Sequence, residues 1–319
     1  MDAERQNILG VAGKAALSIT KPVRYFVDEL LYKASGNWRD IAALRDVHVG
    51  QPLLVVGNGP SLIETPLERF SGYPAIGMNK IDLLFERTTW RPSYVVCLNN
   101  VVALQHQSSF ASSTIPTYVA WKARWLLKSE NRRRLSYFHA RNSNEFVTDP
   151  TFGFGSSATV TYIALQLAYW MGADPVIIFG VDHSFKFTGS ASTYQRREGA
   201  DENHFHPDYF KSGTVWGTPD LDQSEVEYAK ALTAFSAGVD GSSTPLLGES
   251  STSFRRLLLN KPKVCLVRPN LGSPPNTSSA NRAGDRPWNR SGPQLGGRSP
   301  GAGNHAYIRC AAHWNCPAR

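Results

Sequence analysis

The sequence predicts an α/β protein built on a Rossmann-like, mostly parallel sheet with helices on both faces. Three observations carry that expectation. Short apolar runs rich in β-branched residues, such as Leu53-Leu54-Val55-Val56 and Val176-Ile177-Ile178-Phe179, lack the alternation of a half-exposed strand and suit strands covered on both faces. These runs stop at glycine, asparagine or aspartate, at the end where open α/β sheets place their ligands. Helical patterns fall between and after the runs, as they do in βαβ units.

Composition narrows the class. With 319 residues, 41% hydrophobic and 11% aromatic, the chain can bury one substantial core or two. The net charge of +8 suggests a nucleic-acid partner until it is divided along the chain. Residues 241–319 hold 11 of the 34 Lys+Arg and 2 of the 26 Asp+Glu, so this tail carries +9 and residues 1–240 carry −1. The basicity belongs to the tail, and no nucleic-acid partner is expected. Of the four cysteines (Cys97, Cys265, Cys310, Cys316), Cys97 lies in an apolar run and reads as a buried thiol, which points to a reducing compartment, the cytoplasm. Residues 8–19 are too weakly apolar for a secretory signal. No run reaches the roughly 18 apolar residues of a membrane span, leaving at most a peripheral membrane association.

Taken in order, residues 22–34 read as an amphipathic helix for packing or docking, with Val23, Phe26, Val27, Leu30 and Leu31 on one face. The first strand, 53–56, delivers the loop Gly57-Asn58-Gly59-Pro60-Ser61. Gly57 and Gly59 permit a sharp turn and close approach of a ligand, and the amides beyond them can face an anion. Asn58 can give and accept a hydrogen bond, while Ser61 can contact a phosphate or cap the next turn. Leu62 stands where a dinucleotide fingerprint needs its third glycine, and no Gly-Lys-Ser/Thr follows as in a P-loop. A phosphate or nucleotide role therefore stands beside a plain tight turn.

The second strand, 75–78, ends at Asn79, a helix is expected over 80–87, and the third strand, 94–98, ends at Asn99 and Asn100. Asparagines at three strand ends line one rim with amides, suited to a base edge or ribose hydroxyls, though asparagine also favours turns. A fourth strand is expected at 116–120. The run Arg132-Arg133-Arg134 reads as a solvated face. Gly153-Phe154-Gly155-Ser156-Ser157 opens a helix to about 172; Ser156 or Ser157 can cap it or hold an anion, and the glycines suggest close approach of a ligand. The strand 175–181 ends on Asp182-His183, an acid and an imidazole in a typical site position. The connection 186–220, with Tyr194, His204, His206, Asp208 and Trp216, has the length and composition of a lid or substrate loop. His204, His206 and Asp208 match no zinc spacing, and no metal set is expected. Asp220 reads as the N-cap of a helix over 223–235.

Together these residues resemble the MptE-like family (6-hydroxymethylpterin diphosphokinase MptE-like), most of all its bacterial members associated with surface glycans. The resemblance covers about residues 40–235. It rests on Asp46-Val47-His48-Val49-Gly50, Gly57-Asn58-Gly59-Pro60-Ser61-Leu62, Gly77-Met78-Asn79-Lys80, the helix around Thr159–Tyr169, Gly180-Val181-Asp182-His183 and Asn203-His204-Phe205-His206-Pro207-Asp208-Tyr209-Phe210. More distantly, the order of motifs is similar to bacterial lipooligosaccharide sialyltransferases. The resemblance implies that Gly57, Asn58, Gly59, Ser61, Asn79 and Ser156 or Ser157 hold a nucleotide. It implies that Tyr194 steadies a leaving phosphate, that His204 (or His206) is the base, and that Asp182 and His183 shape the site. The implied activity is transfer of a sugar from a nucleotide sugar, CMP-linked among the candidates, to a cell-surface glycan, as in lipopolysaccharide biosynthesis; the donor is a substrate rather than a cofactor. Alternatives are a pterin diphosphokinase using ATP and Mg²⁺ held by Asp182 and Asp220, and an inactive nucleotide-binding protein.

The tail departs from the family. Relatives continue with a segment like DATVGGKLxVF, and codons for residues 241–254 can be chosen that spell it one nucleotide out of phase. The expectation is a frame shift between about Ala237 and Ser242, with residues 242–319 translated out of frame. Nine Pro, nine Gly and ten Ser among residues 241–319 also suggest disorder. The cluster His305, Cys310, His313 and Cys316 then reads as accident. The expected organisation is an N-terminal helical segment (1–44), a nucleotide-binding transferase domain (45–240) and a disordered tail (241–319).

Overall fold

The computed structural model describes residues 23–156, 158–237 and 264–266. The described residues begin with helix α1 at 23–35 and the short α2 (Trp38–Ala42). Strands β1 (Leu53–Val56), β2 (Ala75–Met78) and β3 (Tyr94–Cys97) follow, then α3 (Asn100–Ser112), β4 (Thr117–Ala120), α4 (Ser129–Arg132) and β5 (Ser136–Phe138). Beyond these come β6 (Ala140–Asn142), β7 (Phe154–Ser156), α5 (Val160–Trp170), β8 (Val176–Phe179), β9 (Tyr194–Arg196), β10 (Val215–Gly217), α6 (Leu221–Ser236) and β11 (Val264–Leu266).

The main sheet has the order β11-β8-β1-β2-β3-β4-β5. All neighbours from β8 to β5 are parallel, and only β11 runs antiparallel, against β8. Alternate residues of each strand enter opposite cores. Leu53 and Val55 pack with Ile76, Met78, Val96 and α5 on one face, while Leu54 and Val56 pack with Ala75, Val95, Cys97 and Val102 of α3 on the other. Burial on both faces is why these strands read as unbroken apolar runs. The chain steps outward from β1 to β5 and then returns to lay β8 on the far side of β1. The reversal opens a crevice beyond the carboxyl ends of β1 and β8, the usual ligand position in such sheets.

The helix expected over 80–87 forms as a 3₁₀ helix, Ile81–Glu86. Other expectations are corrected. Helix α3 and strand β5 were not anticipated from the sequence. The apolar face of α1 does not pack: Val23, Phe26, Val27, Leu30 and Leu31 are exposed. The helix is instead seated by Tyr32, buried edge-on against Trp121, and by Asp28, whose Oδ1 accepts from Arg124 at 2.9 Å. Of the segment expected to be disordered, Val264–Leu266 pairs with β8. The rest of 241–319, with the frame-shift expectation and its His/Cys cluster, lies outside the described residues, as do residues 1–22 and Ser157. Among the described residues no helix is long and apolar enough to cross a membrane.

Candidate functional site

A cleft of about 390 Å³ opens at the carboxyl ends of β1, β2, β3 and β8. Its floor includes Gly57, Asn58, Asn79, Asn100 and Asp182; its roof includes Tyr194, Asn203, His204, Phe210 and Trp216. The roof is the long connection expected as a lid, folded here into the β9–β10 antiparallel ribbon and the turn-rich stretch 201–210. It is tied down by the Phe205 amide donating to Asn58 O (2.9 Å), Lys80 Nζ donating to Tyr209 O (2.7 Å) and Gln105 Nε2 donating to Val215 O (2.8 Å). The size is within the range of small-molecule sites.

The Gly57–Ser61 loop is held by β8 rather than presenting an open set of amides. Gly57 N–H donates to Phe179 O (2.8 Å), Gly59 N–H to Gly180 O (2.8 Å) and Ser61 N–H to Asp182 Oδ2 (2.8 Å). A Cβ on Gly57 would overlap the Gly180 carbonyl, and one on Gly59 the Asp182 carboxylate. The two glycines are therefore required by loop-to-loop packing. Ser61 does not line the cleft; its hydroxyl and amide both bind Asp182, fixing that carboxylate at the cleft wall.

The asparagines divide by role. Asn99 caps α3, its side chain accepting from Val101 N (2.8 Å) and Val102 N (3.3 Å). Asn58 Oδ1, Asn79 Oδ1 and Asn100 Oδ1 are buried and have no hydrogen-bond partner among the described residues. All three side chains belong to cleft-lining residues. Buried amide oxygens without a partner cost stability, about 1–3 kcal/mol each, unless something else satisfies them.

His204 is held from several sides. Its Nδ1 lies 2.8 Å from Asp201 Oδ2, its ring stacks on Tyr209 (centroids 3.9 Å apart, 3° between planes), and Phe185 and Phe210 meet it edge-on. Asp201, nearly inaccessible, also accepts from Asn203 N (2.9 Å) and Phe210 N (3.2 Å). Burial opposes ionisation of Asp201, but the His204 hydrogen bond and charge, the Asn203 amide and Arg197 outweigh it and hold the carboxyl below its ordinary value. Lys80 lies beneath this group, its Nζ 4.7 Å from the Phe210 ring centroid, and burial lowers its ammonium to about 8. Burial pushes the Tyr209 phenol far up, so it stays neutral.

Asp182 and His183 both line the cleft. His183, at φ +52°, sets Nε2 2.7 Å from Glu225 Oε1 on α6. Tyr194 lies at the mouth, well exposed. His206 stands outside the cleft, with Nδ1 accepting from the Asp208 amide (3.1 Å). Asp220 caps α6 through Gln223 N (3.0 Å).

At the start of α5 the arrangement differs from expectation. Ser156 sits in β7 and does not line the cleft, and Gly155 is required by the Glu145 carbonyl rather than by a ligand. The helix is capped by Thr159, and the fully buried Glu227 carboxylate accepts from Ala158 N (3.1 Å) and Thr159 N (3.3 Å). An internal carboxylate thus occupies the amides where an anion was expected. Sequence reasoning missed Asp201, Glu225 and Glu227, whose roles come from contacts made in the fold. Among the described residues no three His, Cys, Asp or Glu side chains cluster as a metal site.

No protein-family model matches the chain, and no curated protein matches it. Among solved structures, the MAf glycosyltransferase from Magnetospirillum magneticum AMB-1 is similar at 14% identity with a TM-score of 0.39, over 58% of this chain and 30% of that one. This chain therefore aligns with less than a third of the length of that protein.

Proposed function

We propose that the protein is a transferase that binds a nucleotide or nucleotide sugar in this cleft and passes the sugar to a glycan or small-molecule hydroxyl. One observation carries the reading: three unpartnered amide oxygens, of Asn58, Asn79 and Asn100, surround a cleft roofed by the Asp201–His204 pair. Amide groups on the strand ends suit the donor groups of a base or ribose. With Nδ1 directed at Asp201, His204 keeps Nε2 as its proton acceptor. In the step we assign, Nε2 takes the proton of the acceptor hydroxyl as its oxygen bonds the anomeric carbon. The bond from that carbon to the donor phosphate breaks, and the phosphate leaves with the electron pair. Asp201 stabilises the imidazolium so formed. We assign Tyr194, exposed at the cleft, to meet the departing phosphate. The MptE-like resemblance supports a nucleotide-dependent transferase. The diphosphokinase alternative is less favoured, since Asp220, a carboxylate offered for its metal, is engaged as a helix cap.

A thermal-shift screen of the full chain against CMP, CDP, UDP, GDP and ATP, each with and without Mg²⁺, tests this. A nucleotide at a hundred times its Kd adds about 2.7 kcal/mol to stability. Stabilisation by a pyrimidine nucleotide without metal is expected. Stabilisation by ATP only with Mg²⁺ would move the assignment to phosphoryl transfer, and no response to any nucleotide would remove the nucleotide reading.

A further inference from the structure

Helix α1 holds an apolar stripe outward. Val23, Phe26, Val27, Leu30 and Leu31 are 45–63% exposed, at spacings that place them on one helical face. The opposite face is fixed to the domain through Tyr32 and the Asp28–Arg124 pair, so the fold itself presents the stripe. The segment that receives α1 extends the same surface. Lys122 Nζ lies 3.7 Å from the Tyr25 ring centroid, and the Arg124 guanidinium that binds Asp28 also lies over Trp125, which is 67% exposed. Arg132 donates to Arg124 O at 3.5 Å, which brings the exposed run Arg132-Arg133-Arg134 beside these rings. Residues 122–134 contain six Lys or Arg and one acid, Glu130.

Charge decides what can cover this face. A second copy would bring the same cationic stretch against itself. Residues 241–319 carry +9, and residues 1–22 carry Arg5, Lys14 and Lys21 against Asp2 and Glu4, so neither supplies net negative charge. The occupant must be both apolar and anionic. We infer that the outer face of α1, with Trp125 and Arg132–Arg134, docks on an anionic lipid surface, lying in the interface without crossing it. The stripe enters the acyl boundary and the cations meet headgroup phosphates. Residues 121–125 directly follow β4, so this surface lies on the rim of parallel strand ends that also carries the cleft. Docking there holds the cleft next to substrates presented at the bilayer.

The test is cosedimentation of the full chain with vesicles of phosphatidylcholine, alone or with about a quarter phosphatidylglycerol. The basic tail can itself adsorb to anionic vesicles, so the deciding comparison is between wild type and variants that keep it. We expect F26S/L30S and R132Q/R133Q/R134Q each to bind the anionic vesicles about tenfold more weakly than wild type. F26S/L30S should also lose the part of binding that survives high salt. All these side chains are exposed, so an unchanged Tm verifies the fold. Equal binding by wild type and both variants, or no vesicle binding at all, would overturn the proposal. So would a dimer that F26S/L30S abolishes, which would assign the face to a second copy.

Discussion

The ring of His204 is clamped between Tyr209 and the Asp201 carboxylate, and that clamp separates its role from packing alone. His204→Ala is expected to lower kcat/KM by about 10²–10⁴ while leaving nucleotide-induced stabilisation intact; loss of that stabilisation as well would reassign the residue to binding. Asp201→Asn removes the charge that orients the ring and stabilises the imidazolium, and should lower kcat with little change in KM. Lys80 gives a pH prediction of opposite kind. Its ammonium is lowered by burial to about 8, so the unfolded chain holds more protons than the folded one from there up to the ordinary lysine value of about 10.4. Stability from this group therefore rises with pH across that window. Lys80→Met should abolish the rise in urea midpoints measured across it, and a rise that persists in the variant would place the titrating group elsewhere.

At the scale of elements, the glycines and caps make separable demands. Gly59→Ala drives a methyl into the Asp182 carboxylate and the Gly180 carbonyl and should cost about 1–3 kcal/mol, the usual range for overpacking. Asp220→Ala removes an N-cap and should cost about 0.5–2 kcal/mol in urea unfolding without changing nucleotide affinity. If it instead abolished Mg²⁺-dependent ATP binding, Asp220 would be a metal ligand after all. The same elements show what could be read beforehand. β1, β2, β3 and β8 were legible because burial on both faces leaves unbroken apolar runs. Asn58 and Asn79 were legible as site candidates because they terminate two of those runs. α3 was not, because Gln105, His106, Gln107, Ser108 and Ser109 interrupt its apolar pattern, and β5 is only Ser-Tyr-Phe. The stripe of α1 was legible as a helix face, but its direction depended on Asp28 and Arg124, far apart in the chain. Glu227 was hidden for the same reason, since it meets amides 68 and 69 residues away, a distance no local pattern spans; Asp201 pairs only three residues from His204, but within a turn-rich stretch with no periodicity to mark it.

For the molecule as a whole, the deciding feature is that the return of the chain from β5 to β8 sets the crevice, and the connection from β8 to α6 then closes over it. The sheet strands are buried on both faces and should open only with global unfolding. In the roof, Phe205, Tyr209, Phe210 and Trp216 are buried in the core, and the Phe205 amide and Lys80 Nζ tie it to the strand ends; the exposed stretch 188–200 lacks such anchors and should open locally at lower cost. A ligand in the cleft touches both layers, so its binding should slow amide hydrogen exchange in residues 192–218, with little change in β1, β2, β3 or β8. Protection confined to α1 and residues 121–134 would mean that the ligand binds outside the cleft. Uniform protection would mean that it stabilises the fold without engaging the roof, and His204, which belongs to that roof, could not then act on it.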